Sequence, residues 1–188
     1  MPSRSNARPR RAATAASVIL ITIALLTSVA CRDSSARSSP AGSAGPGAAR
    51  VTRVVDGDTI EDDLSGRTEK VRLLGIDTPE TKHPTKPVQC YGKEASEHTA
   101  DLLPAGTDVR LERDDEERDD YGRLLAYVYR SSDDLFVNLA LVHDGFASLL
   151  TIRPNTAHLT DLTAAETDAR SRRVGLWGRC GGPGRPAT

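Results

Sequence analysis

The stretch from Arg72 to Glu80, reading Arg-Leu-Leu-Gly-Ile-Asp-Thr-Pro-Glu, constrains this chain more than any other. With Val71 before it, its first half is apolar and suits a buried strand. Its second half must turn, because Pro79 fixes its own φ and pushes Thr78 out of the helical region. One strand end therefore delivers a cation, Arg72, and two carboxylates, Asp77 and Glu80, to the start of a loop. Strict alternation would put Arg72 and Asp77 on opposite faces of the strand. A shared site needs a bend between them, and Gly75 is the residue that permits one.

The punctuation on either side predicts an α+β fold, a five-stranded barrel with helices. Strands are expected at Val51 to Val55, Thr59 to Glu61, Val71 to Ile76, Asp108 to Glu112 and Leu124 to Tyr129, with turns at Asp56-Gly57 and Ser65-Gly66. A first helix is expected from Gly92 to Leu103, where Ala95, Thr99, Leu102 and Leu103 share a face and Pro104 and Gly106 end it. A second runs from Phe136 to Asp144 and stops at Gly145. A third is capped by Asn155 and reaches Arg173, with Leu159, Leu162, Ala165 and Ala169 in a stripe. Pro84 and Pro87 make the loop from Thr81 to Gln89 irregular, and Gly175-Leu176-Trp177 packs the chain back before Cys180.

Residues 1–30 have the anatomy of a secretory signal: Arg4, Arg8, Arg10 and Arg11 precede the uncharged run Val18 to Leu26, and Ser28-Val29-Ala30 precede Cys31. The run is short for a membrane span, which needs about 20 apolar residues. Cys31 after small residues is a candidate lipidation site, with Ser28 where a lipobox usually has Leu; plain cleavage after Ala30 and an uncleaved anchor are the alternatives. Either export route makes the product lipid-anchored to the outer face of the membrane or secreted. Residues 31–49, rich in Ser, Ala, Gly and Pro, read as a disordered linker, residues 50–180 as the folded domain and residues 181–188 as a tail. The whole chain has a formal net charge of −1, and loss of the four leader arginines leaves about −5. Charge alone therefore does not make this a nucleic-acid-binding surface, and a polyanion has to be held by a local patch. Cys90 and Cys180 are expected to pair in an exported chain, two unrelated thiols being the alternative. No Cys-x-x-Cys motif exists, and His83, His98, His143 and His158 have no metal-ligand spacing.

Taken in order, seven segments resemble the staphylococcal nuclease (thermonuclease) family across residues 51 to 178. They are Val55-Asp-Gly-Asp-Thr59, Arg72 to Glu80, Thr81-Lys-His-Pro84, Tyr91-Gly-Lys-Glu-Ala95, Asp120-Tyr-Gly-Arg123, Arg153-Pro-Asn155 and Gly175-Leu-Trp177. The resemblance implies a five-stranded OB-type β-barrel with three α-helices. It also implies a calcium-dependent phosphodiesterase, an endonuclease that cleaves DNA and RNA to 3′-phosphate products with little sequence specificity. By position, Asp58 and Asp77 would be carboxylate ligands of one Ca2+ per domain, Thr78 would give it a carbonyl, and Glu80 would reach it through water. Arg72 and Arg123 would hold the phosphate, Glu80 would act as base, and Lys86 and Tyr121 would contact substrate. The residue types suit that chemistry. Calcium accepts a mixed shell of oxygen donors, and each guanidinium can bond two phosphate oxygens at once. The enzyme is expected to act as a monomer, touching the membrane only through a lipid at Cys31.

Two departures from the family pattern bear on substrate binding. Asp120, where Lys is common, closes the run Asp114-Asp-Glu-Glu-Arg-Asp-Asp120, whose six acids would repel a polyanion near Arg123; the run reads as a solvated loop, a second weak calcium site or a brake. Leu150, Thr151 and Ile152 stand where the family often has tyrosines, and with aromatics at 4% the chain has little material for a base-stacking platform. Binding is therefore expected to rest on phosphate contacts, with single-stranded or denatured nucleic acid favoured. The competing readings are a catalytically inactive barrel that binds nucleic acid or protein, and a tethered structural lipoprotein. Neither explains why Asp58, Arg72, Asp77, Glu80 and Arg123 are all present.

Overall fold

In the computed structural model the described residues are 47–81 and 88–187. The expected leader, Cys31, most of the linker and Lys86 lie outside them. The strands are β1 (Ala48–Asp56), β2 (Thr59–Leu64), β3 (Arg67–Leu73), β4 (Ile76–Asp77), β5 (Asp108–Glu112), β6 (Leu124–Arg130), β7 (Leu135–Phe136) and β8 (Ser148–Leu149). The helices are α1 (Gly92–Leu102), α2 (Val137–His143), α3 (Leu159–Arg172) and the single turn α4 (Leu176–Arg179). The fourth helix, at Gly175-Leu-Trp, adds to the three expected.

β1, β2, β3, β5 and β6 close into a barrel. The sheet runs β3-β2-β1-β5-β6 with antiparallel neighbours, and β3 pairs with β6 in parallel to seal it. Beyond the last β3 residue, Leu74 N–H still donates to Ala126 O at 2.9 Å. Asn138 of α2, fully buried, secures this seam by donating Nδ2 to Leu74 O at 2.9 Å while its Oδ1 accepts Val128 N–H at 2.9 Å. Apolar alternation on the strands fills the barrel with Val51, Ile60, Val71, Leu73, Val109, Leu111, Leu124 and Val128, and Leu141 and Leu162 cover it from α2 and α3. Among the described residues, no helix is long and apolar enough to cross a membrane.

Several boundaries differ from the sequence reading, each for a tertiary reason. The domain begins before residue 50, because Ala48 and Ala49 of β1 pair with Arg110 and Val109 of β5. The second strand continues past Glu61 to Leu64 and carries Asp62 into the interior, where it is fully buried. Asn155 does not cap α3: the helix starts at Leu159 after His158, with no side-chain cap. The Asn155 side chain is spent instead on Glu116, accepting its N–H at 2.8 Å and donating to its carbonyl at 3.0 Å. The segment read as a tail makes backbone contacts, since Cys90 N–H donates to Arg185 O at 2.8 Å and Ala187 N–H to Val88 O at 3.0 Å. Next to these contacts the expected Cys90–Cys180 disulfide is present, tying the residues just before α1 to the end of α4.

Candidate active site

The candidate site lies where the β1–β2 turn meets the end of β3. The register of that hairpin sets Thr59 opposite Arg72, so Asp58 emerges beside the arginine. Leu73 N–H donates to Asp58 O at 2.9 Å and fixes the turn against the strand. Gly57 lets the next layer approach, for a Cβ there would sit 2.7 Å from Thr78 Oγ1. Thr99 of α1 completes the support by donating its hydroxyl to Gly57 O at 2.7 Å.

Arg72 is the hub. Its side chain is only 6% exposed. Nη1 donates to Leu73 O at 2.7 Å and Ile76 O at 2.8 Å, which orients the guanidinium plane. Nη2 then faces two carboxylates, Asp58 Oδ2 at 3.3 Å and Asp77 Oδ1 at 3.2 Å. That geometry requires the chain to reverse between β3 and β4, which it does at Gly75 with φ +78°. A Cβ at Gly75 would also collide with Leu162 of α3, so both conformation and space select glycine.

Asp58 is held on both oxygens, Oδ2 by the Thr78 N–H at 3.1 Å and Oδ1 by the Thr59 hydroxyl at 2.9 Å. The Thr78 backbone is thereby brought against Asp58, as a shared ligand set requires. Glu80 follows at the loop start. Its N–H donates to Gln89 Oε1 at 3.1 Å and its carbonyl accepts Gln89 N–H at 2.9 Å, so its backbone is clamped one residue from the disulfide. Asp56 joins this acidic corner, with Oδ1 accepting the Gly57 N–H and the Thr81 hydroxyl, each at 2.9 Å. Burial pushes its carboxyl above the ordinary carboxylate range and the negative Asp58 and Glu80 add to that, while the two hydrogen bonds pull it back. Asp56 was absent from the sequence-derived set, though it adjoins the same Gly57 turn.

The residues therefore fit a hard divalent ion in kind. Asp58, Asp77, Thr78 and Glu80 offer only oxygen, and two of the carboxylates converge on a single nitrogen. Among the described residues, no cluster of three or more His, Cys, Asp or Glu side chains is preassembled for a metal. The Arg72 cation instead occupies the point between Asp58 and Asp77.

Arg123 is placed separately. Parallel pairing of Arg72 with Leu125 puts Arg123 just before β6 on the same seam. Its side chain, 29% exposed, is held by Asp119 through Nε at 2.7 Å. Tyr121, 85% exposed, lies with its ring 5.4 Å from the Arg123 guanidinium carbon. The acidic run is a folded loop rather than a purely solvated one. Asp114 takes the Ala157 N–H at 2.9 Å and the Tyr127 hydroxyl at 3.2 Å, and its carboxyl lies below the ordinary range: its hydrogen bonds outweigh the opposing effect of burial. Arg118 forks onto Glu69 of β3 at 3.0 and 3.1 Å.

A closed five-stranded barrel that sets carboxylates and a buried arginine at one strand end defines the class: an OB-type barrel with charged side chains at its mouth. The family described as staphylococcal nuclease homologue matches residues 70–179. The chain is 44% identical over 129 residues to the thermonuclease of Staphylococcus intermedius, covering 69% of this chain and 75% of that one. It is 41% identical over 128 residues to the thermonuclease of Staphylococcus hyicus, covering 68% and 74%, and 40% identical over 133 residues to endonuclease YncB of Bacillus subtilis, covering 70% and 62%. The protein belongs to the staphylococcal nuclease family. It is a nuclease, and nucleic acid is its substrate.

Proposed function

We propose that this protein is an exported, calcium-dependent nuclease that cleaves DNA and RNA with little sequence preference and leaves 3′-phosphates. The observation that carries the reading is the meeting of Asp58 and Asp77 on one nitrogen of a buried arginine, 3.3 and 3.2 Å away. Asp58, Asp77, the Thr78 carbonyl and, through water, Glu80 would hold the calcium, which when bound supplies Lewis-acid polarisation of the phosphoryl group. Arg72, fixed through Nη1 on Leu73 O and Ile76 O, gives a phosphate oxygen the Nη2 that now faces Asp58 and Asp77 when those two carboxylates turn to the ion. Arg123 adds a second guanidinium from the β6 side, so that charge added at phosphorus is met from two directions. Glu80 takes the proton of the attacking water. Tyr121 and Lys86 contact substrate outside the reacting phosphate. Aromatic residues make up only 4% of the chain, so selection rests on backbone phosphate and on chain flexibility, which favours single-stranded or denatured substrate.

Residues 1–30 act in this reading as an export signal and 31–49 as a tether. Cys31 carries a lipid, or the mature protein is released as a monomer. The test is the purified protein mixed with denatured DNA in calcium and then in excess chelator. Calcium-dependent shortening to fragments that a phosphatase can modify at their 3′ ends is expected. Intact DNA in calcium, or equal cleavage in chelator, contradicts the proposal.

A further inference from the structure

The contact between Asp119 and Arg123 has a form that neither repulsion nor solvation of an acidic loop explains. The four residues Asp119-Asp120-Tyr121-Gly122 make a turn closed by Gly122 N–H to Asp119 O at 2.9 Å, with Gly122 at φ +75°. The Asp119 side chain then does two things. Oδ1 accepts the backbone N–H of Tyr121 at 3.0 Å and of Arg123 at 2.9 Å, while Oδ2 accepts Arg123 Nε at 2.7 Å. Asp119 N–H returns a bond to Arg123 O at 3.1 Å, so backbone and side chain of the arginine are fastened by one residue. The carboxylate is 14% exposed, which keeps the contact less screened than a surface pair.

Which nitrogen Asp119 takes decides the meaning. An acid that silenced Arg123 would sit across Nη1 and Nη2, the end-on fork that meets phosphate. Asp119 takes Nε alone, and among the described residues neither Nη atom of Arg123 makes a hydrogen bond. The loop bearing this latch is itself anchored: Leu125 N–H donates to Glu117 O at 2.8 Å, and Arg118 bonds both Glu69 and the Gly122 carbonyl. A long, flexible side chain is thereby held in one orientation before substrate arrives, so less freedom is lost when it binds.

We propose that Asp119 is a positioning residue for the nuclease reaction, orienting Arg123 so that its Nη fork is presented to the substrate phosphate. The proposal rests on the reading of Arg123 as a phosphate-binding group. The discriminating variant is Asp119→Asn, whose amide oxygen can keep the two backbone bonds while its NH2 faces the Nε–H donor. Steady-state cleavage of denatured DNA is measured for wild type, Asp119→Asn, Arg123→Ala and the double variant, with melting temperatures alongside. Asp119→Asn is expected to lower kcat about 10- to 100-fold, with a melting temperature close to wild type. In the Arg123→Ala background the same substitution is expected to change kcat less than about twofold, because its effect passes through the missing guanidinium. An equal fold-loss in both backgrounds marks a purely structural role and overturns the proposal. So does a wild-type kcat in Asp119→Asn when Arg123→Ala has collapsed. Full activity in Arg123→Ala instead overturns the phosphate reading of Arg123, and the proposal falls with it.

Discussion

Replacing Arg72 with lysine is expected to reduce phosphodiester cleavage by at least about 100-fold, in a protein that still folds. The guanidinium satisfies Leu73 O and Ile76 O through Nη1 and faces Asp58 and Asp77 through Nη2, four partners in all. An ammonium has three tetrahedral donors on a different reach and cannot reproduce that set. Whichever partners it keeps, it either leaves a carbonyl of the β3–β4 bend unpaired or withdraws charge from the carboxylate side. The phosphate then meets a donor that must reorganise during reaction. Some loss of melting temperature is expected as well, since the site is buried, so kcat is compared at a temperature well below the variant's transition. Near-wild-type kcat in a folded Arg72→Lys protein contradicts the role assigned to this residue.

The second large effect lies away from the site. Asp62 is fully buried in β2, and neither carboxylate oxygen has a hydrogen-bond partner among the described residues. Its cross-strand neighbours are Val51 on β1 and Glu69 on β3, and the Glu69 carboxylate is taken by Arg118. Burial pushes the Asp62 carboxyl from 3.8 to about 7. The folded protein therefore holds this proton more tightly than the unfolded chain does. Its contribution to stability is complete below pH 3.8, declines as pH rises toward about 7, and is level above that. A gap of this size corresponds to about 4 kcal/mol. Asp62→Asn keeps the shape and removes the charge. Urea unfolding of wild type and variant is expected to give similar stabilities near pH 4 and an advantage of about 4 kcal/mol for the variant at pH 8. Taking the difference between the two proteins cancels carboxylates of the opposite sign, such as Asp133, which Arg130 holds down at about 2. A constant difference across that range would show that Asp62 ionises as an ordinary carboxylate.

The site was legible where local chemistry dictates geometry. The bend at Gly75 follows from needing Arg72 and Asp77 on one side of a strand, and the positive φ there meets that need. The barrel itself followed from turn residues and short apolar runs. What could not be read depends on partners distant in sequence. Asn155 has the chemistry of a helix cap, yet a backbone pair at Glu116, 39 residues earlier, claims its amide. Asp62 shares the inward face of β2 with Ile60 by simple alternation, but the rule that carboxylates stay outside outweighs period at a strand end. Asp119 was hidden by its neighbours, since a net count over Asp114 to Asp120 sees repulsion and not a directed bond. The signal available was the turn, with Asp at its first position and Gly at its fourth.

Asp58 and Asp77 are proposed to form one divalent-ion site beside Arg72. Calcium titrated calorimetrically into the wild-type protein, Asp58→Asn and Asp77→Asn addresses it without reference to turnover. One site per chain is expected in the wild type and affinity weakened at least about tenfold in each variant, with all three proteins folded. Calcium binding of equal strength in the wild type and both variants, or no binding to any of them, would contradict it.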